Sequence, residues 1–396
     1  SKTGPLSGLR VLDASTVLAG PLACQILGDY GADVIKVEHP RGDALRGHGL
    51  QVDGEGLWWK MVSRNKRCLA LYLGDPAGAD VFRRLVADAD VVVENFRPGT
   101  FERWGLAPDQ LLAINPRLVM CRVTGFGQDG PYADRPAFGT LVEAMSGFAS
   151  MTGEPDGPPT LPPFGLADSV AALSAVSAIT MALRHSEATG CGQVIDQSIL
   201  EPLVMALGPH ILNYDHTGTV PPRTGNRSTN NAPRNTYVTA DGRWVAVSAS
   251  ADSIAQRAVE LVGRGELAEN DWFWSGAGRA AHVEESDAAM AEWIGARPID
   301  EVVEAFAEAE VALAPVYEVD QYLDDPQVRH RGSVITVDDP QIGQMRMQNV
   351  LFQMSETPGS VSHTGRPIGA DTDEILAEAG LTVDEITELR SRKVVS

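Results

Sequence analysis

Strand-like and helix-like stretches alternate through the first 125 residues, and this alternation narrows the possible folds more than any other feature of the sequence. Leu-Arg-Val-Leu-Asp at 9–13 reads as a short buried strand, followed by a loop that reaches Gly20-Pro21. Pro21 suits the first position of a helix, where a missing N–H costs nothing, and 21–30 carries helix-forming Leu, Ala and Gln. Residues 32–38, Ala-Asp-Val-Ile-Lys-Val-Glu, read as a second strand. A strand, helix and strand in about thirty residues imply a right-handed crossover and a parallel sheet. The pattern recurs with strands at 68–73, 90–94 and 118–123 and helices at 76–88 and 108–114. The expectation is an α/β chain with a doubly wound, Rossmann-like large domain.

Beyond residue 129 the composition turns to Gly, Pro and small residues, with a helix expected at 139–150. A long helix follows from Ser169 to Ser186, closed by Thr189-Gly190-Cys191-Gly192, then a strand at 193–196 and a helical segment near 199–213. Residues 217–235 read as a linker or functional loop, and 237–248 as a hairpin turning at Asp241-Gly242. Acidic helical segments fill 252–312, strands are expected in 343–352 and a helix around 371–379. A chain of 396 residues exceeds one simple core. The division is a large domain at 1–215, a smaller α/β domain with its linkers at 216–320, and a C-terminal segment at 321–396.

The net charge of −21 argues against nucleic acid, whose phosphates need a basic surface. Cations nevertheless cluster locally, at Arg64-Asn65-Lys66-Arg67, Arg97 and Arg103, which would suit a phosphorylated small molecule. The four cysteines lie far apart, in neither a disulfide framework nor a metal spacing. Ser1-Lys2-Thr3-Gly4-Pro5 lacks a signal-peptide pattern, and no run of eighteen apolar residues occurs. A cytoplasmic protein with no membrane or nucleic-acid partner and no metal is expected.

Among motifs, Gly125-Phe126-Gly127-Gln128-Asp129-Gly130 matches G-x-G-x-x-G, but Pro131-Tyr132 and a polar loop follow where a dinucleotide site needs a helix. It reads as a turn. The histidines have no metal-ligand spacing, and no G-x-S-x-G elbow is present. Asp168 stands in Pro162-Pro163-Phe164-Gly165-Leu166-Ala167-Asp168-Ser169, just ahead of the long helix. It reads either as a helix N-cap or as a nucleophile in a water-poor pocket, and the two are compatible.

Three stretches together resemble the class III coenzyme A transferases of the CaiB/BaiF type, the family of formyl-CoA and carnitine CoA-transferases. The first runs from Pro5-Leu6-Ser7-Gly8-Leu9-Arg10-Val11-Leu12-Asp13 through Ala19-Gly20-Pro21 to Gly31-Ala32-Asp33-Val34-Ile35-Lys36-Val37-Glu38. The second joins Asn65-Lys66-Arg67-Cys68, Val93-Glu94-Asn95-Phe96-Arg97-Pro98-Gly99 and Arg103-Trp104-Gly105-Leu106. The third holds Thr124-Gly125-Phe126-Gly127, Gly165-Leu166-Ala167-Asp168 and Gly190-Cys191-Gly192-Gln193.

The resemblance implies that Asp168 is the catalytic nucleophile, acylated by a CoA thioester and then carrying CoA itself. It implies that Val17, Leu18, Ala19, Leu71, Asn95, Phe96 and Arg103 contact the coenzyme. Arg41 and Lys66 are added as nearby cations able to reach phosphate oxygens. Coenzyme A and acyl-CoA enter as substrates, with small carboxylic acids as partners and no tightly bound cofactor. The fold implied is an interlocked-ring homodimer, with the C-terminal segment returning to the large domain. Departures are Ala137-Phe138-Gly139 for the family's Gly-Tyr-Asp, Glu143 for a common glutamine, and Leu18 where formyl-CoA transferases carry glutamine. Phe138, Gly139 and Glu143 become substrate candidates, and their context is similar to members using succinyl-CoA and dicarboxylates. Two alternatives stay open, an α-methylacyl-CoA racemase and a CoA-binding protein without catalysis. The racemase would need a histidine where Phe138 stands.

Overall fold

The computed structural model describes residues 4–396. Its centre is a six-stranded parallel sheet of β1 (Arg10–Asp13), β2 (Asp33–Glu38), β3 (Lys66–Ala70), β4 (Val91–Glu94), β5 (Val119–Thr124) and β6 (Gln193–Ser198), in the order β3-β2-β1-β4-β5-β6. The order reverses between β1 and β4, the switch point where open α/β sheets bind ligands beyond the strand ends. Each strand feeds both faces because side chains alternate along it. Leu12, Ile35, Val92 and Met120 join one core with Phe82, Phe101 and Ile375. Val11, Val34, Val93 and Cys121 join the other, with the alanines of α1 (Ala19–Asp29) and the long helix after the Asp168 motif.

Four more helices of this unit matter to the site and its frame. They are α2 (Pro76–Ala87), α3 (Pro108–Ile114), α4 (Gly139–Met145) and α5 (Leu166–Thr189). Helix α5 begins three residues earlier than the sequence predicts, so Asp168 lies in its first turn and Gly165 takes the cap position. Its buried stripe of Ala167, Ala171, Ala172, Ala175 and Ile179 allows close approach to α1 and the sheet. By length and composition α5 is also apolar enough to cross a membrane, although no run of that kind is expected from the sequence. In this fold one side of it is core, while Leu173 and Met181 face outward. Gly190, at φ +77°, ends it with a left-handed residue that glycine adopts without strain.

The chain divides into two units. One holds the residues up to Phe148, Pro162–Gly208 and Gln327–Ser396, and the other Ala149–Leu161 and Pro209–Pro326. In the second, β7 (Arg234–Val238) and β8 (Trp244–Ser248) form the hairpin expected around Asp241-Gly242, and β9 (Leu313–Pro315) pairs with β8. In the first, a hairpin of β10 (Val334–Asp339) and β11 (Gly343–Gln348) leads to α6 (Thr372–Glu378) and α7 (Val383–Ser391). These helices cover β3, where Asp371 accepts from the Cys68 amide at 2.7 Å and the Tyr72 amide donates to Val394.

The basic run at 64–67 is not a basic surface. Arg64 pairs with Asp29 at 2.6 Å, Lys66 with Asp13 at 2.8 Å and Arg67 with Asp33 at 2.7 Å. Burying these charges is tolerable because each is matched and hydrogen-bonded.

Candidate active site

Beyond the C-terminal end of β1 the chain turns sharply. Val17 sits at φ +65°, a left-handed conformation that a β-branched residue resists, at a cost on the order of 1–3 kcal/mol. Two side chains from other strand ends hold it there. Asn95, after β4, accepts from the Thr16 amide and donates to the Thr16 carbonyl, both at 2.7 Å. Asp43, after β2, accepts from the Val17 amide at 3.3 Å and from Leu45 at 2.8 Å. Asp43 is itself paired with buried Lys36 at 2.8 Å. Burial alone would raise the Asp43 pKa, but the Lys36 ammonium and the Leu45 and Val17 amides together outweigh it and hold the carboxyl below its usual value. Asp13 behaves alike, with Lys66 and Lys36 overcoming its burial. The loop therefore rests on a buried chain of alternating charges rather than on a flexible hinge.

This loop forms one wall of a cleft. Thr16, Val17, Leu18 and Ala19 line it with Asn95, Phe96 and Arg97, with Thr124 to Phe126 after β5, and with Arg135 to Phe138. Asp168, half-buried, lines it as well. Burial first, and the Glu143 carboxylate second, push the Asp168 pKa up to about 6, while a hydrogen bond from the Gly139 amide pulls against them. A Cβ at Gly139 would stand 2.5 Å from Asp168 Oδ2, so a larger residue here would force the carboxylate to shift. Leu18 packs so closely over Gly165 that a Cβ on that glycine would stand 2.6 Å from its Cδ2. The nucleophile candidate is thus enclosed by backbone and by one apolar side chain. A carboxylate so placed keeps its lone pairs less solvated than one in water.

A second, more apolar hollow adjoins the first, sharing Thr16 and Phe96 with it. Leu71, Tyr72, His39, Gly42 and Trp104 line it. His39 packs edge-on to Tyr72, with ring centroids 4.8 Å apart, and burial with nearby Arg41 lowers its pKa. Thr16 and Phe96 thus stand between the two hollows.

Of the residues singled out from sequence, Val17, Leu18, Ala19, Asn95, Phe96, Phe138 and Asp168 share the cleft, and Leu71 lines the adjoining hollow. Arg41 is exposed beside that hollow, its amide donating to His39 Nδ1 at 3.0 Å. Arg103 is exposed and donates to Thr100 Oγ1. Lys66 is a correction. Its ammonium is fully buried and donates to Asp13 and to the Pro21 carbonyl, so it cannot reach a phosphate. Glu143 is 2% exposed and does not line the cleft; its Oε1 accepts from the Ala167 amide at 3.0 Å. Sequence reading missed Thr16, Asp43 and Arg135. The first two could have been sought at strand C-terminal ends, while nothing in the sequence marks Arg135.

The G-x-G-x-x-G run is a turn, with Gly127 and Gly130 at positive φ and no helix opening after it.

Residues 6–372 match the model of CoA-transferase family III. The chain is 41% identical over 394 residues to the succinyl-CoA–D-citramalate CoA-transferase of Chloroflexus aurantiacus, covering 99% of this chain and 98% of that one. It is 36% identical to the succinate–glutarate CoA-transferase of Agrobacterium fabrum, over 94% and 95% of the two chains. Among solved structures it is similar to a CAIB/BAIF family protein from Brucella suis, at 33% identity and TM-score 0.83, with 96% of this chain and all of that one covered. A match of this length, over both units and through the aspartate in the cleft, makes the chain a member of CoA-transferase family III and an enzyme that transfers coenzyme A.

Proposed function

We propose that the transfer runs from succinyl-CoA to a second dicarboxylic acid, with the Asp168 carboxylate as the covalent carrier. The observation that carries this reading is the pairing of a partly desolvated aspartate, its pKa pushed up to about 6, with a cleft that also holds Arg97 and Arg135. Neither arginine has an ion-pair partner among the described residues, although Arg135 stacks on Tyr132. A dicarboxylate needs a cation for its distal carboxylate. The relatives whose names specify succinyl-CoA or dicarboxylic acids support the same class.

In the first step an Asp168 oxygen attacks the thioester carbonyl, the C–S bond breaks, and the electron pair leaves with the CoA thiolate. The product is a succinyl–aspartyl anhydride. The thiolate then attacks the aspartyl carbonyl, succinate departs, and Asp168 carries CoA as a thioester. The acceptor carboxylate attacks that carbonyl and expels the thiolate, giving a second anhydride. Thiolate attack on the acceptor carbonyl releases the new acyl-CoA and frees Asp168. No net proton is consumed, so no general acid is required, and splitting the exchange in this way is covalent catalysis. The Gly139 amide, already bonded to the Asp168 carboxylate, would hold the aspartyl oxygen as charge develops on it.

In this reading the nucleotide end of CoA occupies the hollow at Leu71 and Trp104, with Arg41 and Arg103 nearby for phosphate. The pantetheine arm passes Phe96 and Asn95 to reach Leu18 and Asp168. Phe138 and Gly139 would flank the acyl group. We also infer an interlocked homodimer. Ile211, Leu212, Tyr214 and Val220 are 56–71% exposed, and a second copy would cover such apolar side chains. A reducing, cytoplasmic setting suits the four free cysteines.

The test is to incubate the enzyme with succinyl-CoA, trap with hydroxylamine and map the modified peptide. Modification at Asp168, lost in Asp168→Ala together with turnover, is the expected result. Full exchange by that variant would overturn the mechanism.

A further inference from the structure

The first turn of α5 packs against α4. Asp168, from α5, lies against the Gly139 backbone of α4, where an added Cβ would stand 2.5 Å from its Oδ2, and Glu143, from the second turn of α4, accepts from the Ala167 amide of α5 at 3.0 Å. Two acidic side chains therefore sit where the helices meet, and Glu143 is anchored on the residue that precedes Asp168. Glu143 is 2% exposed and is not among the side chains that line the cleft. A glutamine would accept the same Ala167 hydrogen bond from the same position. Burying a carboxylate instead costs free energy that the anchoring does not require. The charge, and not only the shape, has to act on something, and its nearest functional neighbour is Asp168.

We propose that Glu143 is a positioning residue whose fixed negative charge drives Asp168 toward acylation. This rests on Asp168 being the nucleophile. When Asp168 attacks the thioester, its negative charge passes to the departing sulfur, and the repulsion between the two carboxylates is relieved as the new C–O bond forms. Substrate and free enzyme bear the full repulsion, while the transition state bears part of it, and a differential of that kind accelerates the step. A more basic carboxylate is also the stronger nucleophile. Of the other elements packed against α4 and α5, the helix Leu200–Ala206 carries one titratable group, the exposed Glu201. The rest present Leu18 and Ala19 from the α1 entry, Val123 and Thr124 from β5, and Ile199 beyond β6. Arg97 and Arg135 stand in the cleft and are exposed.

The test is Glu143→Gln, assayed for succinyl-CoA exchange across pH, with hydroxylamine trapping run in parallel on both proteins. Burial is the largest cause of the raised Asp168 pKa and the Glu143 charge the second. The acid limb of kcat should move to lower pH by up to about one unit, with kcat at neutral pH about three- to tenfold lower and KM within about twofold. A purely structural role would leave the limb in place. Glu143→Asp, which keeps the charge but withdraws it from Ala167, should keep an acid limb closer to wild type than the glutamine variant and serves if that variant does not fold. Label at Asp168 in both proteins with an unmoved limb and unchanged kcat overturns the role of Glu143 alone. No label at Asp168 in either protein overturns the nucleophile reading, and the proposal with it.

Discussion

Replacing Asp168 by asparagine should abolish turnover and at the same time stabilise the protein, and the size of that gain follows from its surroundings. Asparagine keeps the shape and can still accept from the Gly139 amide, but it carries no charge beside Glu143. The wild-type carboxyl titrates at about 6 instead of 3.8. Between those values the native state binds more protons than the unfolded chain, so stability falls as pH rises through the window and the penalty is complete above it. A shift of roughly two units corresponds to about 3 kcal/mol, which partial solvent access to the cleft reduces to about 1–3 kcal/mol. For a chain of this length that is a rise in Tm of about 1–4 °C. Thermal denaturation of both proteins at pH 8 and at about pH 4.5 measures it. The variant should melt higher at pH 8 and lose most of that advantage at pH 4.5, where the native carboxyl is protonated and the unfolded one is still largely ionised. Equal melting at pH 8, or the same advantage at both pH values, would refute the electrostatic account.

Gly139→Ala would place a Cβ 2.5 Å from the Asp168 carboxylate. We expect exchange activity to fall by about a hundredfold or more, because displacing a reacting group by an ångström costs that much, with circular dichroism unchanged. Lys66→Met leaves Asp13 buried without its closest cation and should cost about 3–5 kcal/mol, read as a lower denaturation midpoint or loss of soluble protein. Unaltered stability with a raised KM for acyl-CoA would instead restore Lys66 as a coenzyme ligand.

The parallel sheet is legible in sequence because its strands are short apolar runs separated by helices of the right length, and the hairpin at β7–β8 because Asp241-Gly242 marks its turn. Asp168 stands out through its glycine- and proline-rich approach. The basic run misleads, because its aspartate partners lie 35 and 53 residues earlier and only the folded sheet brings them under Arg64 and Lys66. Glu143 is visible as a departure from a family pattern, but its role is not. The contact with Ala167 spans 24 residues and depends on how two helices meet, which no local pattern encodes.

The covering of β3 by α6 and α7 has a consequence for how the protein is made. The Asp371 carboxylate that accepts from Cys68 lies 303 residues further along the chain. At about 5–20 residues per second, a ribosome needs roughly 15 to 60 s to supply it after Cys68 is joined. For that interval the outer strand of the nascent sheet has no lid, and its apolar side chains at Leu69 and Leu71 are open to solvent. The residues at 209–326, in contrast, emerge as one stretch and can begin to fold as they leave the exit tunnel. A chaperone that shields apolar strands would find its client in the nascent chain rather than in the finished enzyme.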